Sequence, residues 1–172
     1  MKPILLHTCC GACGFIATKF LEAKFNINYF WFNPNIDTIQ EHEKRLDVAR
    51  KNFSVIVDEY NSSEGREWLD NFQEFAYQQE KRCKECYRFR LTRTVNKAKE
   101  LKIDWFSTTL LVSPYQKHEI LKKVAGELAD INGLKFYYFD GRTDFYKNLT
   151  EFKKLGFYTQ KYCGCKFSKN EK

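Results

Sequence analysis

Short apolar runs alternate with longer amphipathic stretches along this sequence, and that alternation constrains the fold more than any other feature. Five runs have the length and composition of β-strands: PILLH, INYFWF, FSVIVDEY, IDWFSTTLL and LKFYYF. A helical pattern separates each run from the next. Strands that alternate with helices form a parallel sheet with helices on both faces. We therefore predict an α/β fold.

The stretches between the runs carry apolar residues at helical spacing. The predicted helices are GFIATKFLEAKF, TIQEHEKRLDVARKNF beginning near Thr38, YQKHEILKKVAGELADIN, and a final stretch that ends at Leu155. Between about Gly65 and Leu101 the pattern predicts two helices, broken by KRCKECYR. The C-terminal GFYTQKYCGCKFSKNEK lacks clear periodicity, which predicts a loop or tail.

Composition limits the organisation and the partners of the chain. A length of 172 residues with 43% hydrophobic residues is enough for one core, so we expect a single domain over residues 1–172. The net charge of +7 favours a polyanionic partner, with nucleic acid first, although basic surfaces that only maintain solubility are about as common. The apolar run in MKPILLHTCC is too short for a secretory signal, and no stretch approaches a membrane span of roughly 18 residues. We expect a cytoplasmic protein without membrane association.

Seven cysteines are the main candidates for chemistry. In a reducing cytoplasm they are better suited to metal binding or redox catalysis than to structural disulfides, and their odd number agrees with this. They fall into three sequence groups: Cys9, Cys10 and Cys13; Cys83 and Cys86; and Cys163 and Cys165.

The first group lies in HTCCGAC, where the first predicted strand leads into the first predicted helix. Parallel α/β sheets bind ligands at this carboxyl edge, and the helix N-terminus stabilises anions such as thiolates. We therefore expect these cysteines to be more acidic than a free thiol. His7 belongs to the same motif.

The other two groups suggest different chemistries. The two-residue gap between Cys83 and Cys86 lets both thiolates bind one metal or cluster, and spacing alone does not decide between zinc and iron–sulfur. Because Cys83 is far along the chain from Cys13, a shared site would have to be assembled by the fold. A disulfide between Cys163 and Cys165 would be strained and easily reduced, which suits electron relay.

Five motifs now stand in a specific order: LLHTCCGAC, WFNPNI, CKECYRFRL, FSTTLLVSPYQKHE and YTQKYCGCKFS. In these motifs the chain resembles the cobalamin-independent epoxyqueuosine reductase family, QueH, over essentially its full length. The resemblance implies an iron–sulfur oxidoreductase with a Rossmann-like, adenine-nucleotide-hydrolase-like sheet and a helical cysteine-bearing insertion. It also implies that the substrate is tRNA carrying epoxyqueuosine at the anticodon wobble position, that queuosine is the product, and that an electron donor of unknown identity is needed.

Carried over residue by residue, the resemblance implies three roles for the cysteines. Cys9, Cys10, Cys83 and Cys86 would bind a [4Fe-4S] cluster. Cys163 and Cys165 match the C-terminal pair of the family, which is read as a redox-active disulfide. Cys13 would lie near the metals, at an additional iron.

The reaction also needs proton donors and RNA contacts. His7, Asp144 and Tyr162 are the candidate acids, of which His7 and Asp144 are our catalytic predictions. Four aromatic residues in or beside the motifs are candidates for stacking on the substrate: Trp31, Phe32, Tyr87 and Tyr115. Of these, Trp31 and Phe32 are better explained as core residues. The candidate phosphate contacts are Arg88, Arg90 and Lys117.

The sequence departs from the family pattern at three positions. Ala12 stands where the family has proline, and Tyr146 and Thr159 stand where it tends to carry arginine. Two other functions remain open from the residues alone. A zinc-stabilised RNA-binding module would share the clustered cysteines, and a thioredoxin-like thiol oxidoreductase would use Cys10 and Cys13 but leave five cysteines without a role.

Overall fold

A five-stranded parallel sheet forms the centre of the protein. The computed structural model describes residues 1–58, 67, 70 and 72–169. The strands are β1 (Lys2–His7), β2 (Phe25–Trp31), β3 (Val55–Val57), β4 (Trp105–Thr108) and β5 (Lys135–Phe136). Their order is β3-β2-β1-β4-β5, and all four pairings are parallel. The predicted α/β, Rossmann-like fold is confirmed.

Strand β1 is the central strand, because it pairs with β2 on one side and with β4 on the other. Its residues Ile4, Leu5 and Leu6 are fully buried. A strand of a parallel sheet that is covered by helices on both faces reads as a continuous apolar run, which explains PILLH. The chain leaves this strand at the carboxyl edge of the sheet, directly before the first cysteines.

Within the described residues, helices cover both faces of the sheet. The α-helices are α1 (Gly11–Leu21), α2 (Ile39–Asn52), α3 (Gln79–Glu100), α4 (His118–Asn132) and α5 (Phe145–Lys154). Three short 3-10 helices are added at Gln73–Phe75, Thr109–Val112 and Lys166–Lys169. The predicted start of α2 is confirmed, since the Thr38 side chain accepts a hydrogen bond from the Glu41 N–H and caps the helix.

The predicted helix break at KRCKECYR is wrong, because this segment lies inside the continuous helix α3. The segment contains no glycine or proline and is rich in lysine, arginine and glutamate, which are good helix formers. Cys83 and Cys86 are therefore one helical turn apart on the same side of α3. The other helix predicted in this region begins among residues that lie outside the described part of the chain.

The edge strands are shorter than predicted. FSVIVDEY contributes only Val55–Val57, and its last two residues lie outside the described part of the chain. LKFYYF contributes only Lys135–Phe136. Each of these strands has a neighbour on one side only, so fewer hydrogen bonds extend it. In the tail, the predicted loop is confirmed up to residue 169 except for the 3-10 turn at Lys166–Lys169, and the last three residues lie outside the described part of the chain.

A close contact between two helices fixes the start of α1 at the carboxyl edge. A Cβ atom on Gly11 would lie 2.4 Å from Val48 Cγ1 of α2, so only glycine allows this approach. Among the described helices, we find none that is long and apolar enough to cross a membrane.

Candidate metal and redox site

Cys9, Cys10 and Cys13, which we call the first thiol group, lie where β1 leads into α1, as predicted. Cys10 caps α1, and its Sγ atom accepts a hydrogen bond from the Cys13 N–H at 3.2 Å. The Sγ atoms of Cys9, Cys10 and Cys13 all lie within 4.8 Å of one another. Three thiol sulfurs at this separation can bind a common metal ion.

The acidity of the three thiols differs from the prediction. Hydrogen bonds from Cys10, and then from Cys13, lower the pKa of Cys9 well below its usual value. Burial raises the pKa of Cys10 to about 12, and the hydrogen bond from Cys13 to Cys10 raises the pKa of Cys13 well above the ordinary thiol value. The expectation that all three are more acidic is therefore wrong for Cys10 and Cys13. The neighbouring thiols stabilise one negative charge on Cys9. Burial and the nearby Cys9 thiolate disfavour further negative charges on Cys10 and Cys13.

Two polar side chains that sequence reasoning missed contact the first thiol group. The Thr109 hydroxyl donates to Cys9 Sγ at 3.2 Å and accepts a hydrogen bond from the Cys9 N–H at 3.1 Å. Gln160 Nε2 donates to Cys10 Sγ at 2.8 Å. Both residues lie inside the quoted motifs, FSTTLL and YTQKYC, which was the available signal. Sulfur atoms that accept such hydrogen bonds are stabilised as anions.

The second thiol group consists of Cys83 and Cys86 of α3 together with Cys163 and Cys165 near the C-terminus. Cys86 and Cys165 are buried in one small apolar cluster with Phe72. Burial, followed by the nearby thiols of Cys86 and Cys163, raises the pKa of Cys83 to about 12. The fold thus brings together two cysteine pairs that are far apart in the sequence. All seven cysteines are free thiols in this structure.

Gln116 and Tyr87 connect the second thiol group to the loop after β4. Gln116 Nε2 lies 3.5 Å from Cys163 Sγ, and its Oε1 atom accepts a hydrogen bond from the Tyr87 hydroxyl at 2.8 Å. The same hydroxyl accepts a hydrogen bond from the Lys117 N–H at 3.0 Å. Tyr87 is 2% exposed, so it stabilises this loop from the protein interior and is not the predicted stacking surface.

Arg90 places a positive charge near both thiol groups. Its side chain is 1% exposed, and its Nη1 atom lies 3.9 Å from Cys86 Sγ. Burial raises the pKa of Cys86 to about 11, and the charge of Arg90 opposes that rise. The same charge acts on Cys9, where it adds to the lowering of the pKa. The prediction that Arg90 contacts a tRNA phosphate is wrong, because the side chain is enclosed by the protein.

A chain of hydrogen bonds positions Arg90. Its Nη2 atom donates to Asn33 Oδ1 at 2.7 Å, and Asn33 Nδ2 donates to the Thr8 carbonyl at 2.9 Å. Arg90 Nε is buried without a hydrogen-bond partner among the described residues. Thr8 directly precedes Cys9, so the position of the guanidinium is coupled to the backbone that carries the first thiol group.

His7 is fully buried at the end of β1. Its Nδ1 atom lies 2.9 Å from Thr108 Oγ1, and its Nε2 atom lies 3.2 Å from the Phe32 carbonyl oxygen. Burial, followed by the charge of Arg90, lowers the pKa of His7 to about 3, so the ring is neutral near pH 7. Because a carbonyl only accepts, Nε2–H donates to Phe32, and Nδ1 accepts from Thr108. Both ring nitrogens are thus engaged in connecting the ends of three strands.

The remaining predicted residues divide between core and surface. Trp31 and Phe32 are 0% and 4% exposed, which confirms their interpretation as core residues. Tyr115 is 74% exposed.

The two other candidate acids lie near the surface. Asp144 is exposed and directly precedes α5. The Tyr162 hydroxyl donates to Asp37 Oδ1 at 2.5 Å, which commits it to a structural contact.

The two remaining phosphate candidates lie on α3 and at the start of α4. Arg88 Nη2 donates to Glu127 Oε2 at 2.7 Å, so its charge is partly neutralised by α4. Lys117 directly precedes α4, and its side chain is half-buried.

Arg45 of α2 holds the segment that carries the C-terminal cysteines. It is 2% exposed and donates to the carbonyl oxygens of Tyr162 and Cys163 at 3.1 and 3.0 Å. The Asp37 N–H donates to the Gly164 carbonyl at 3.0 Å. Gly164 has a φ of +123°, a conformation that L-residues with a side chain rarely adopt. The position of Cys163 and Cys165 is therefore set by α2, which no sequence pattern indicated.

Comparison with known proteins identifies related sequences over nearly the whole chain. A family model described as Epoxyqueuosine reductase QueH matches residues 4–171. A relative from Dehalococcoides mccartyi named Epoxyqueuosine reductase QueH is 32% identical, and the alignment covers 100% of this chain and 96% of the relative. A relative of the same name from Thermotoga maritima is 33% identical over 98% of this chain and 91% of its own length. A third of that name, from Streptococcus pyogenes, is 25% identical over 96% of this chain and 69% of its own length.

Proposed function

The chain belongs to the epoxyqueuosine reductase QueH family, and we propose that it reduces epoxyqueuosine to queuosine at the wobble position of tRNA. Members of this family are oxidoreductases. The proposed reaction converts an epoxide to an alkene and releases the oxygen as water. It consumes two electrons and two protons, so the site must supply both.

The observation that carries the proposal is the convergence of all three cysteine groups near the buried Arg90. Cys86 lies within 3.9 Å of its guanidinium, and Cys9 and Cys163 lie within the influence of its charge. Thiolates bind soft metals, and a buried guanidinium offsets the negative charge that several thiolates bring. A purely structural set of cysteines has no need of such a charge.

We assign a [4Fe-4S] cluster to Cys9, Cys10, Cys83 and Cys86, with Cys13 beside it. The donor chemistry fits, because these residues offer only thiols and two polar side chains already donate to the sulfurs of Cys9 and Cys10. When bound, the cluster would supply electrons one at a time, and an additional iron at Cys13 would polarise the carbon–oxygen bond. Thr109 and Gln160 would then stabilise the charge on the sulfurs through their hydrogen bonds.

Cys163 and Cys165 are proposed as the redox-active pair. Oxidation of two thiols to a disulfide releases two electrons and two protons, which equals the demand of one epoxide reduction. Cys163 is exposed and Cys165 is buried beside Cys86, so the pair extends from the surface toward the proposed cluster ligands. An external electron donor would restore the thiols. Arg45 holds the pair at this position through the backbone of the same segment.

Asp144 is the proposed proton source for the departing oxygen. It is exposed at the start of α5. His7 receives a different role, because both of its nitrogens are bonded within the protein. We assign His7 to positioning the ends of the strands that carry the site. Residues 1–172 are proposed to act as one iron–sulfur reductase domain in the cytoplasm.

The proposal is tested by turnover. Anaerobically purified protein is incubated with tRNA that carries epoxyqueuosine and with dithionite, and the digested nucleosides are separated and weighed by mass spectrometry. We expect a product lighter than the substrate by one oxygen atom that co-migrates with queuosine. Asp144→Asn should slow this conversion while leaving the bound metal unchanged. Protein with a full complement of iron that leaves epoxyqueuosine unchanged would contradict the proposed function.

A further inference from the structure

Two exposed tyrosines lie side by side near the second thiol group. Tyr115 is 74% exposed and Tyr146 is 63% exposed, and their hydroxyl oxygens are 3.1 Å apart. They come from different elements, since Tyr115 follows the 3-10 helix after β4 and Tyr146 lies in the first turn of α5. Large aromatic side chains that remain in water on two adjoining elements offer an apolar surface to a partner.

A buried phenylalanine fixes both rings. Phe145 is 7% exposed and meets Tyr146 edge-on at a centroid distance of 5.2 Å and Tyr115 edge-on at 6.5 Å. The Tyr115 N–H also donates to Ser113 Oγ at 3.3 Å. The two rings are therefore held in place before any partner binds, which lowers the entropy cost of binding.

The loop that presents Tyr115 also contacts the thiols. The next residue, Gln116, lies with its Nε2 atom 3.5 Å from Cys163 Sγ. Its Oε1 atom accepts from Tyr87, which is buried beside Cys86. A ligand resting on Tyr115 would thus lie next to the exposed cysteine of the proposed redox pair.

We propose that Tyr115 and Tyr146 form a stacking platform for an unpaired base of the tRNA anticodon loop, next to the nucleotide that is reduced. This inference rests on the proposed function. Proteins recognise RNA mainly at single-stranded loops, where splayed bases stack on aromatic side chains. Reduction of the wobble nucleotide requires that nucleotide to leave the loop stack, so its neighbour loses a stacking partner that a tyrosine ring replaces.

The charge around the platform favours RNA as the occupant. Lys117 and Lys147 follow the two tyrosines closely in sequence, and Lys147 is exposed. The whole chain carries a net charge of +7. Phosphate groups on either side of a stacked base would meet this positive surface, which adds affinity without sequence preference.

Binding of an anticodon stem-loop RNA that carries epoxyqueuosine tests the platform. Tyr115→Leu and Tyr146→Leu should each weaken binding about tenfold, since stacking of one base on an aromatic ring is worth that much. The dependence of affinity on salt should keep its slope, because no phosphate contact is removed. Tyr115→Phe and Tyr146→Phe retain the rings and should bind within about twofold of the unmodified protein.

Ile131→Ala is the matched control. Ile131 is 78% exposed and lies near the end of α4, which leads to the opposite edge of the sheet, so its replacement should leave RNA affinity unchanged. Leucine variants that bind the hairpin as tightly as the unmodified protein would overturn the platform. Variants that bind the hairpin normally and lose only turnover with a protein electron donor would also overturn it. Failure of the unmodified protein to bind the hairpin would instead overturn the proposed function itself.

Discussion

Gln160 Nε2 donates a hydrogen bond of 2.8 Å to Cys10 Sγ, so the C-terminal segment is connected directly to the first thiol group. The two residues lie at opposite ends of the chain. The segment that carries the proposed redox pair therefore also contacts a proposed cluster ligand. Movement of this segment would therefore displace both the proposed redox pair and the hydrogen-bond donor to the first thiol group.

Replacement of Gln160 tests this connection. Gln160→Ala removes an N–H donor to sulfur, and such donors favour the more negative, reduced state of an iron–sulfur centre. We expect the midpoint potential of the bound centre to become more negative, as measured by an anaerobic redox titration. Gln40→Ala, at an exposed glutamine of α2, should leave the potential unchanged. Equal potentials for the Gln160 variant and the unmodified protein would contradict the assigned contact.

Arg90 should be required for stability as well as for metal binding. Arg90→Gln removes the positive charge near the thiol groups and weakens the contact with Asn33 Oδ1, which lies in a buried position. We expect a loss of about 2 kcal/mol in the free energy of unfolding, measured with urea, together with a lower iron content. Arg90→Lys restores the charge and should recover part of the iron content. An Arg90→Gln variant with full stability and full iron content would exclude this role.

The conformation of Gly164 should be essential for the C-terminal pair. A Cβ atom there would lie 3.2 Å from Arg45 Nη1 and from Asn35 Nδ2, and φ is +123°. Gly164→Ala should cost about 1–3 kcal/mol of local strain and displace Cys163 and Cys165, so turnover falls while the iron content is kept. Gly156→Ala is the control, because its φ is +76° but nothing lies within 4 Å of the new atom. Loss of turnover to the same extent in both variants would argue against a specific effect at Gly164.

His42 predicts how stability changes with pH. Burial lowers its pKa from 6.5 to about 4, and its Nε2 atom accepts a hydrogen bond from Trp31 Nε1 at 2.9 Å. Between these two pKa values the unfolded chain binds more protons than the folded protein, so stability decreases as the pH falls through this window. At about pH 5.5 the loss due to His42 should be about 1 kcal/mol, after allowance for solvent screening.

The variant His42→Gln isolates that contribution, since glutamine also accepts a hydrogen bond but does not titrate. Urea unfolding of both proteins at about pH 7 and about pH 5.5 gives the difference. The unmodified protein should lose about 1 kcal/mol more than the variant. Identical losses would show that His42 is not held in its neutral form.

The sequence predicted those parts of the fold that depend on local patterns. PILLH is followed directly by the cysteines and by Gly11, so the junction of β1 and α1 could be located. Thr38 marked the start of α2 because its side chain caps the helix. The apparent break in α3 was misleading, because KRCKECYR has few apolar residues and thus weak periodicity, although every residue in it tolerates a helix.

The composition of the site depended on long-range contacts that no local pattern contains. Nothing in the spacing of Cys163 and Cys165 indicates that they lie beside Cys83 and Cys86. Arg90 looked like a surface charge on an amphipathic helix, but the fold buries it. The acidity of the first thiol group was also overestimated, because burial raises the pKa of Cys10 and the hydrogen bonds that Cys13 donates to its neighbours Cys10 and Cys9 raise the pKa of Cys13.

The most direct test of the central claim is the metal content of anaerobically purified protein, measured as iron, sulfide and zinc together with the absorption spectrum before and after dithionite. We predict about four irons with matching sulfide, or slightly more iron, and a visible band that bleaches on reduction. Cys83→Ser should abolish the cluster. Stoichiometric zinc without sulfide, repeated after anaerobic reconstitution with iron and sulfide, would contradict the iron–sulfur mechanism, as would a Cys83→Ser variant that keeps a full cluster.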